Sequence, residues 1–213
     1  VNAGSGTEKP TTKLEAVLPL TALQEAMVLT SLVDESKGVY LSQIVMELSR
    51  VPDPDCWWRA WRQVCERHEG LRTVFLVKGR DQPVAALLRE VALDHVASNA
   101  IDDLNGWLAE DRKRGFDIES PPLHRHGLLT GVDKDQFRCV HVWTFHHAIC
   151  DGWSTQIVID EVFQIYAALV EKRDPELVEA ASLRSWFRAN HQPGGSETSL
   201  AVMCREQVGA TPP

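Results

Sequence analysis

The sequence predicts an α/β (α+β) sandwich, a mixed sheet flanked by helices. Three observations carry that class. Segments of strict two-residue alternation, such as 40–48 and 137–145, read as half-buried or buried strands. Longer segments with apolar residues at three- and four-residue spacing, such as 53–68 and 153–171, read as helices buried along one stripe. Strands and helices are interleaved, and the hairpin-like spacing of 124–145 supplies an antiparallel component.

In order along the chain, residues 1–13 are small and polar and read as a linker or tail. Thr21 and Gln24 have the spacing of a capping box, which starts a helix running to about Leu32. In 40–48, Tyr40, Ser42, Ile44, Met46 and Leu48 share one strand face. Asp53 or Asp55 caps the next helix, whose Trp57, Trp61, Val64 and Cys65 form one buried stripe. The Trp57, Trp58 and Trp61 cluster reads as core with one exposed face, and a partner surface is the minor alternative. Strands follow at 72–77 and 84–91, and a helix at about 99–114. Two prolines then precede strands at about 124–130 and 137–145, joined by a turn. In the second, Phe137, Cys139, His141, Trp143 and Phe145 share a face. Helices are expected at 153–171 and 182–190, with a helix-like run near 199–208.

Composition narrows the function classes. The 213 residues carry 30 acidic and 22 basic side chains, a net charge of -8, which disfavours nucleic acid as the main partner. No apolar run approaches the ~20 residues of a membrane span. The 5 cysteines are odd in number and scattered, with no CxxC pair, so a reducing cytoplasm is the expected compartment.

Chemistry concentrates in His146-His147-Ala148-Ile149-Cys150-Asp151-Gly152, where a strand ends in two histidines just before a helix. Imidazole, with an ordinary pKa of about 6.5, suits proton transfer at neutral pH. Adjacent strand residues point to opposite faces, so one histidine should enter a cleft and the other the core. Asp151 either orients an imidazole, as the Asp of a triad does, or is held by an arginine and shapes the loop. Gly152 permits close approach or positive φ. The structural alternative is a buried histidine pair beside a helix capped by Asp151 or Ser154. Cys150 reads as a small buried residue. His124, His126 and His141 suggest no metal site with His146, because no acidic ligand has suitable spacing.

The string HHAICDG, followed by Trp153-Ser154, resembles the HHxxxDG motif of condensation domains from non-ribosomal peptide synthetases. Residues 67–75, RHEGLRTVF, resemble that family's RHExLRTxF motif. Residues 18–29 (LPLTALQEAMVL) and 115–129 (GFDIESPPLHRHGLL) resemble two further family segments, and 183–188 and 204–209 do so more loosely. The motifs occur in family order. The resemblance implies a chloramphenicol-acetyltransferase-like fold of two lobes, of which 14–192 would be the N-terminal lobe. Residues 193–213 would be an extension toward the absent second lobe.

It also implies roles. His147 would face the tunnel and accept a proton from, or position, the acceptor amine, while His146 would be structural. Asp151 would be held by Arg67 or Arg72, with Arg125 a third candidate. Gly152 would leave room for the thioester arm, and its N–H would be available to a developing oxyanion. The lobe would bind no cofactor. Both substrates would ride on phosphopantetheine arms of donor and acceptor carrier proteins, beside adjacent synthetase domains. The lobe alone would be inactive and would expose an apolar face open to dimer formation. Two alternatives are a non-catalytic carrier-protein docking module and a CoA-dependent acyltransferase of the same fold.

Overall fold

A computed structural model describes residues 13–34, 38–99, 101–133 and 136–190. Its strands are β1 (Leu14–Pro19), β2 (Leu41–Leu48), β3 (Thr73–Leu76), β4 (Val84–Leu88), β5 (His95–Ser98), β6 (His124–Asp133) and β7 (Gln136–His146). Its helices are α1 (Ala22–Val33), α2 (Pro54–Arg67), α3 (Leu104–Arg114), α4 (Gly152–Glu171) and α5 (Leu183–Asn190). Two compact units are present, one ending at Val178 and a second from Glu179 that contains α5. The helix-like run at 199–208 lies outside the described residues.

The larger sheet has the order β2-β7-β6-β5, antiparallel except for the parallel edge pair β5–β6. The smaller sheet, β1-β4-β3, is antiparallel throughout. β7 runs through the middle of the larger sheet and is buried on both faces. Cys139, Trp143 and Phe145 join the main core with Trp57, Trp61 and Val64 of α2 and Val158, Val162 and Ile165 of α4. Val140 and Val142 face the other way, onto Ile101, Leu104, Trp107 and Leu108. A side chain at Gly127 would run into the Trp107 ring at 2.5 Å, so glycine there lets α3 lie close to β6.

The expected boundaries hold to within a few residues wherever periodicity is strong. The capping box forms: the Gln24 N–H donates to Thr21 Oγ1 at 3.2 Å, and the Thr21 N–H donates to Gln24 Oε1 at 3.1 Å. Asp53, not Asp55, caps α2, and Pro54 follows at its first turn. Trp57 and Trp61 are buried and Trp58 packs on the His95 ring at 4.4 Å, so this cluster is core. β1 and β5 have no counterpart among the expected strands. Each is a short edge strand with exposed apolar side chains, so alternation gives no signal. The expected helix at 99–114 opens with a 3-10 turn at Ile101–Asp103, and α3 starts only at Leu104, capped by Asp103.

Candidate active site

β7 delivers the histidine motif. His146 is its last residue, opposite Leu41 of β2, and its N–H donates to the Leu123 carbonyl at 3.0 Å. The chain then tightens into a 3-10 turn, His147–Ile149. The His147 N–H donates to the Tyr40 carbonyl at 2.7 Å. Tyr40 has φ of 54°, a left-handed conformation that an aromatic residue adopts only under constraint from its surroundings.

The two rings part in burial. His146 is buried. Its Nδ1 accepts the Ala148 N–H at 3.2 Å, and its Nε2 lies 2.9 Å from Ser31 Oγ. Burial first, and the neighbouring His147 second, pull its pKa down to about 4. His147 is half-buried. Its Nδ1 is 2.8 Å from the Cys150 carbonyl, which can only accept, so the proton sits on Nδ1. That tautomer leaves the Nε2 lone pair available as a base or hydrogen-bond acceptor.

Asp151 is the N-cap of α4, and its Oδ1 accepts the Ser154 N–H at 2.8 Å. Neither expected role is realised: no arginine holds it and it orients no imidazole among the described residues. All three candidate arginines are engaged elsewhere. Arg67 pairs with Glu161 of α4 at 2.9 Å, where His68 also bonds at 2.8 Å. Arg72 reaches Glu15 at 2.9 Å and bonds the Leu88 carbonyl. Arg125 is buried against Asp111 at 2.6 Å and stacks over Phe116 at 4.4 Å. The physical reason is depth. Asp151 is exposed at a helix start, where water and a backbone N–H satisfy it, while the arginines answer carboxylates that are buried or half-buried.

Arg67 still supports the motif indirectly, by clamping α2 to the helix that the motif begins. Asp111, missed in the sequence, anchors the strand below the histidines. Its carboxylate accepts from Arg125, from Thr144 Oγ1 at 2.7 Å and from Gln43 Nε2 at 2.9 Å. Burial pushes this carboxyl up, and the bonds from Arg125 and Thr144 outweigh it, so the net shift is downward. Gly70 of the second motif touches the first: a side chain there would meet the Ile149 carbonyl at 2.9 Å. Gly152 has open space in front of it, and its φ is not positive, so only the close-approach role applies.

Cys150 is buried, and burial pushes its thiol far up, away from nucleophile chemistry. Among the described residues no group of three His, Cys, Asp or Glu side chains converges as a metal site. A shallow cavity of about 430 Å3 lies between α2 and α4, lined by Gln63, Glu66, Arg67, Ile165, Pro175 and Leu177, and includes no residue of the histidine motif.

The family model of the Condensation domain matches residues 14–199. The chain belongs to the condensation-domain family. A linear gramicidin synthase of Brevibacillus parabrevis is 37% identical over 172 residues, 77% of this chain and 3% of that protein. Bacitracin synthase 3 of Bacillus licheniformis is 33% identical over 162 residues, 73% of this chain and 2% of that protein. Among solved structures, the starter condensation domain of the rhizomide synthetase RzmA superposes with a TM-score of 0.73 at 19% identity. It covers 93% of this chain and 50% of that one. The first condensation domain of the calcium-dependent antibiotic synthetase, with substrate analogue 2a, gives 0.71 at 19% identity, covering 93% and 49%. This condensation-family chain therefore has their fold. It spans about half the length of those solved domains and a few per cent of the two synthases. No helix among the described residues is long and apolar enough to cross a membrane.

Proposed function

We propose that this chain is the N-terminal lobe of a condensation domain that joins two carrier-protein-bound thioesters through an amide bond. The observation that carries the reading is the His147 tautomer: Nδ1–H is spent on the Cys150 carbonyl, and Nε2 keeps its lone pair at a half-buried position. In the reaction, the acceptor α-amine attacks the donor thioester carbonyl. A C–N bond forms, the C–S bond breaks, and the donor arm leaves as a thiol. His147 Nε2 accepts the proton that the attacking nitrogen sheds and supplies one to the departing sulfur. His146, buried and held neutral, does not compete for that proton.

Phosphopantetheine enters as part of the substrates, on the arms of the donor and acceptor carrier proteins. The open space before Gly152 suits an extended arm, and its N–H at the start of α4 is available to the developing oxyanion. Asp151 serves by fixing where that helix starts. The domain limits 14–192, with 193–213 leading to the second lobe, belong to the same reading.

Donor and acceptor must be oriented from both walls of a cleft, and one lobe supplies one wall. The isolated chain is therefore expected to give no measurable amide product from two loaded carrier proteins. Measurable amide product from the isolated chain would overturn this. We read the donor as carrier-bound; faster turnover with acyl-CoA than with loaded carrier protein would reverse that reading.

A further inference from the structure

α1 does more than pack on the core. Its inward stripe is Gln24, Met27, Val28 and Ser31, spaced three, one and three residues apart, and both polar members of that stripe bond to the histidine turn. Gln24 Nε2 donates to the Ala148 carbonyl at 3.1 Å while its Oε1 completes the capping box. Both ends of the amide are used, so its orientation is fixed.

Ser31 sets a proton position. Its single O–H donates to the Met27 carbonyl at 2.7 Å, so towards His146 it can only accept. His146 Nε2 must then carry the proton. The Ala148 N–H pointing at Nδ1 requires the same tautomer independently. His146 thus forms a hydrogen-bonded brace, running from Ser31 through the imidazole to the first N–H after His147. Gln24 grips the carbonyl of that same residue, Ala148.

We propose that Ser31 and Gln24 are positioning residues: from α1 they hold the 3-10 turn so that His147 keeps Nδ1–H on the Cys150 carbonyl and presents Nε2. The proposal concerns the aim of His147 and rests on its proposed role in amide formation.

The test has two arms. In the first, two-bond 1H–15N spectra of this chain at neutral pH identify the imidazole tautomers. Wild type should show His146 as Nε2–H and His147 as Nδ1–H. Ser31→Ala with Gln24→Ala should move His147 toward the free-imidazole mixture, and Ser31→Thr alone should keep the wild-type pattern. Wild-type His147 signals in the folded double variant, or in each single variant should the double not fold, overturn the proposal. In the second arm, the same variants are placed in the synthetase carrying this lobe. Amide-forming kcat should fall roughly tenfold to hundredfold with KM little changed, and Ser31→Thr should restore it. Full kcat in the alanine variants, in an assay where His147→Ala abolishes turnover, rejects the positioning role alone. Full turnover of His147→Ala rejects the functional reading instead and leaves the spectra to decide the brace.

Discussion

His147 and Asp151 sit four residues apart and are fixed by different means. His147 is aimed by backbone: a carbonyl takes its Nδ1 proton and another carbonyl takes its N–H. Among the described residues, the Asp151 carboxylate is held by the N-cap bond to Ser154. Asp151→Ala should therefore lower stability by about 1 kcal/mol, the ordinary value of a cap, and Asp151→Asn should recover most of it. Urea unfolding reads both; a loss of about 3 kcal/mol or more would instead indicate a buried ion pair. Arg125 is the opposite case. Arg125→Met leaves the buried Asp111 carboxylate with only the longer contact to the exposed Arg114 at 3.8 Å, and should cost about 3–5 kcal/mol by the same measurement. A loss under about 1 kcal/mol would mean that Thr144, Gln43 and Arg114 suffice. The residue types at the site were legible in the sequence, because two adjacent histidines close a strand just before a helix, although the 3-10 turn that parts them was not. The partners were not. Whether an arginine meets Asp151, Glu161 or Asp111 depends on three-dimensional depth, which spacing along the chain does not encode.

At the scale of elements, α2, β6 and β7 share a buried histidine chain. The Trp57 indole N–H donates to His141 Nδ1 at 3.1 Å. His141 Nε2 is 3.3 Å from His126 Nδ1, and His126 Nε2 is 3.1 Å from His124 Nδ1. Since the indole can only donate, every ring in the chain must be neutral with its proton on Nε2. His124 then points that proton toward Cys65 Sγ, 3.7 Å away. Burial lowers His124 to about 4 and His141 to about 3. It takes His126 well below its ordinary value, helped by His124, His141 and exposed His95. Unfolding releases each ring to its ordinary pKa of about 6.5, so the unfolded chain binds more protons in acid. Stability is then complete above about pH 6.5 and falls as pH drops toward the folded pKa values. For His124 and His141 the loss is roughly 1.4 kcal/mol per pH unit, about 2 kcal/mol each by pH 5, and His126 adds to it in the same direction. Urea unfolding at pH 7.5 and pH 5.0 should show a large drop, and equal stabilities would contradict neutral burial of the chain.

Most elements were legible too, because α2, α4, β2 and β7 carry long, strongly periodic stripes. β1 and β5 were not, since four to six residues at a sheet edge expose both faces to mixed surroundings.

For the whole molecule, the surface of α1 is informative. Its inward stripe is narrow, yet Leu23 is 66% and Val33 78% exposed, with Leu29 and Leu32 also exposed. A helix this apolar with most of its apolar side chains in water is expected to be covered in the working assembly. On the proposed reading of this chain as an N-terminal lobe, the second lobe is the expected cover. In isolation the chain should self-associate at high concentration in sedimentation experiments. Added second lobe should replace the self-contact, and a strictly monomeric chain would contradict the assignment.

The most direct test of the account is single-turnover amide formation by the synthetase carrying this lobe, with donor and acceptor carrier proteins both loaded. His147→Ala should lower the rate by about 10²–10⁴-fold with an unchanged unfolding midpoint, as expected for loss of a proton acceptor. A rate within about twofold of wild type would remove His147 from the mechanism.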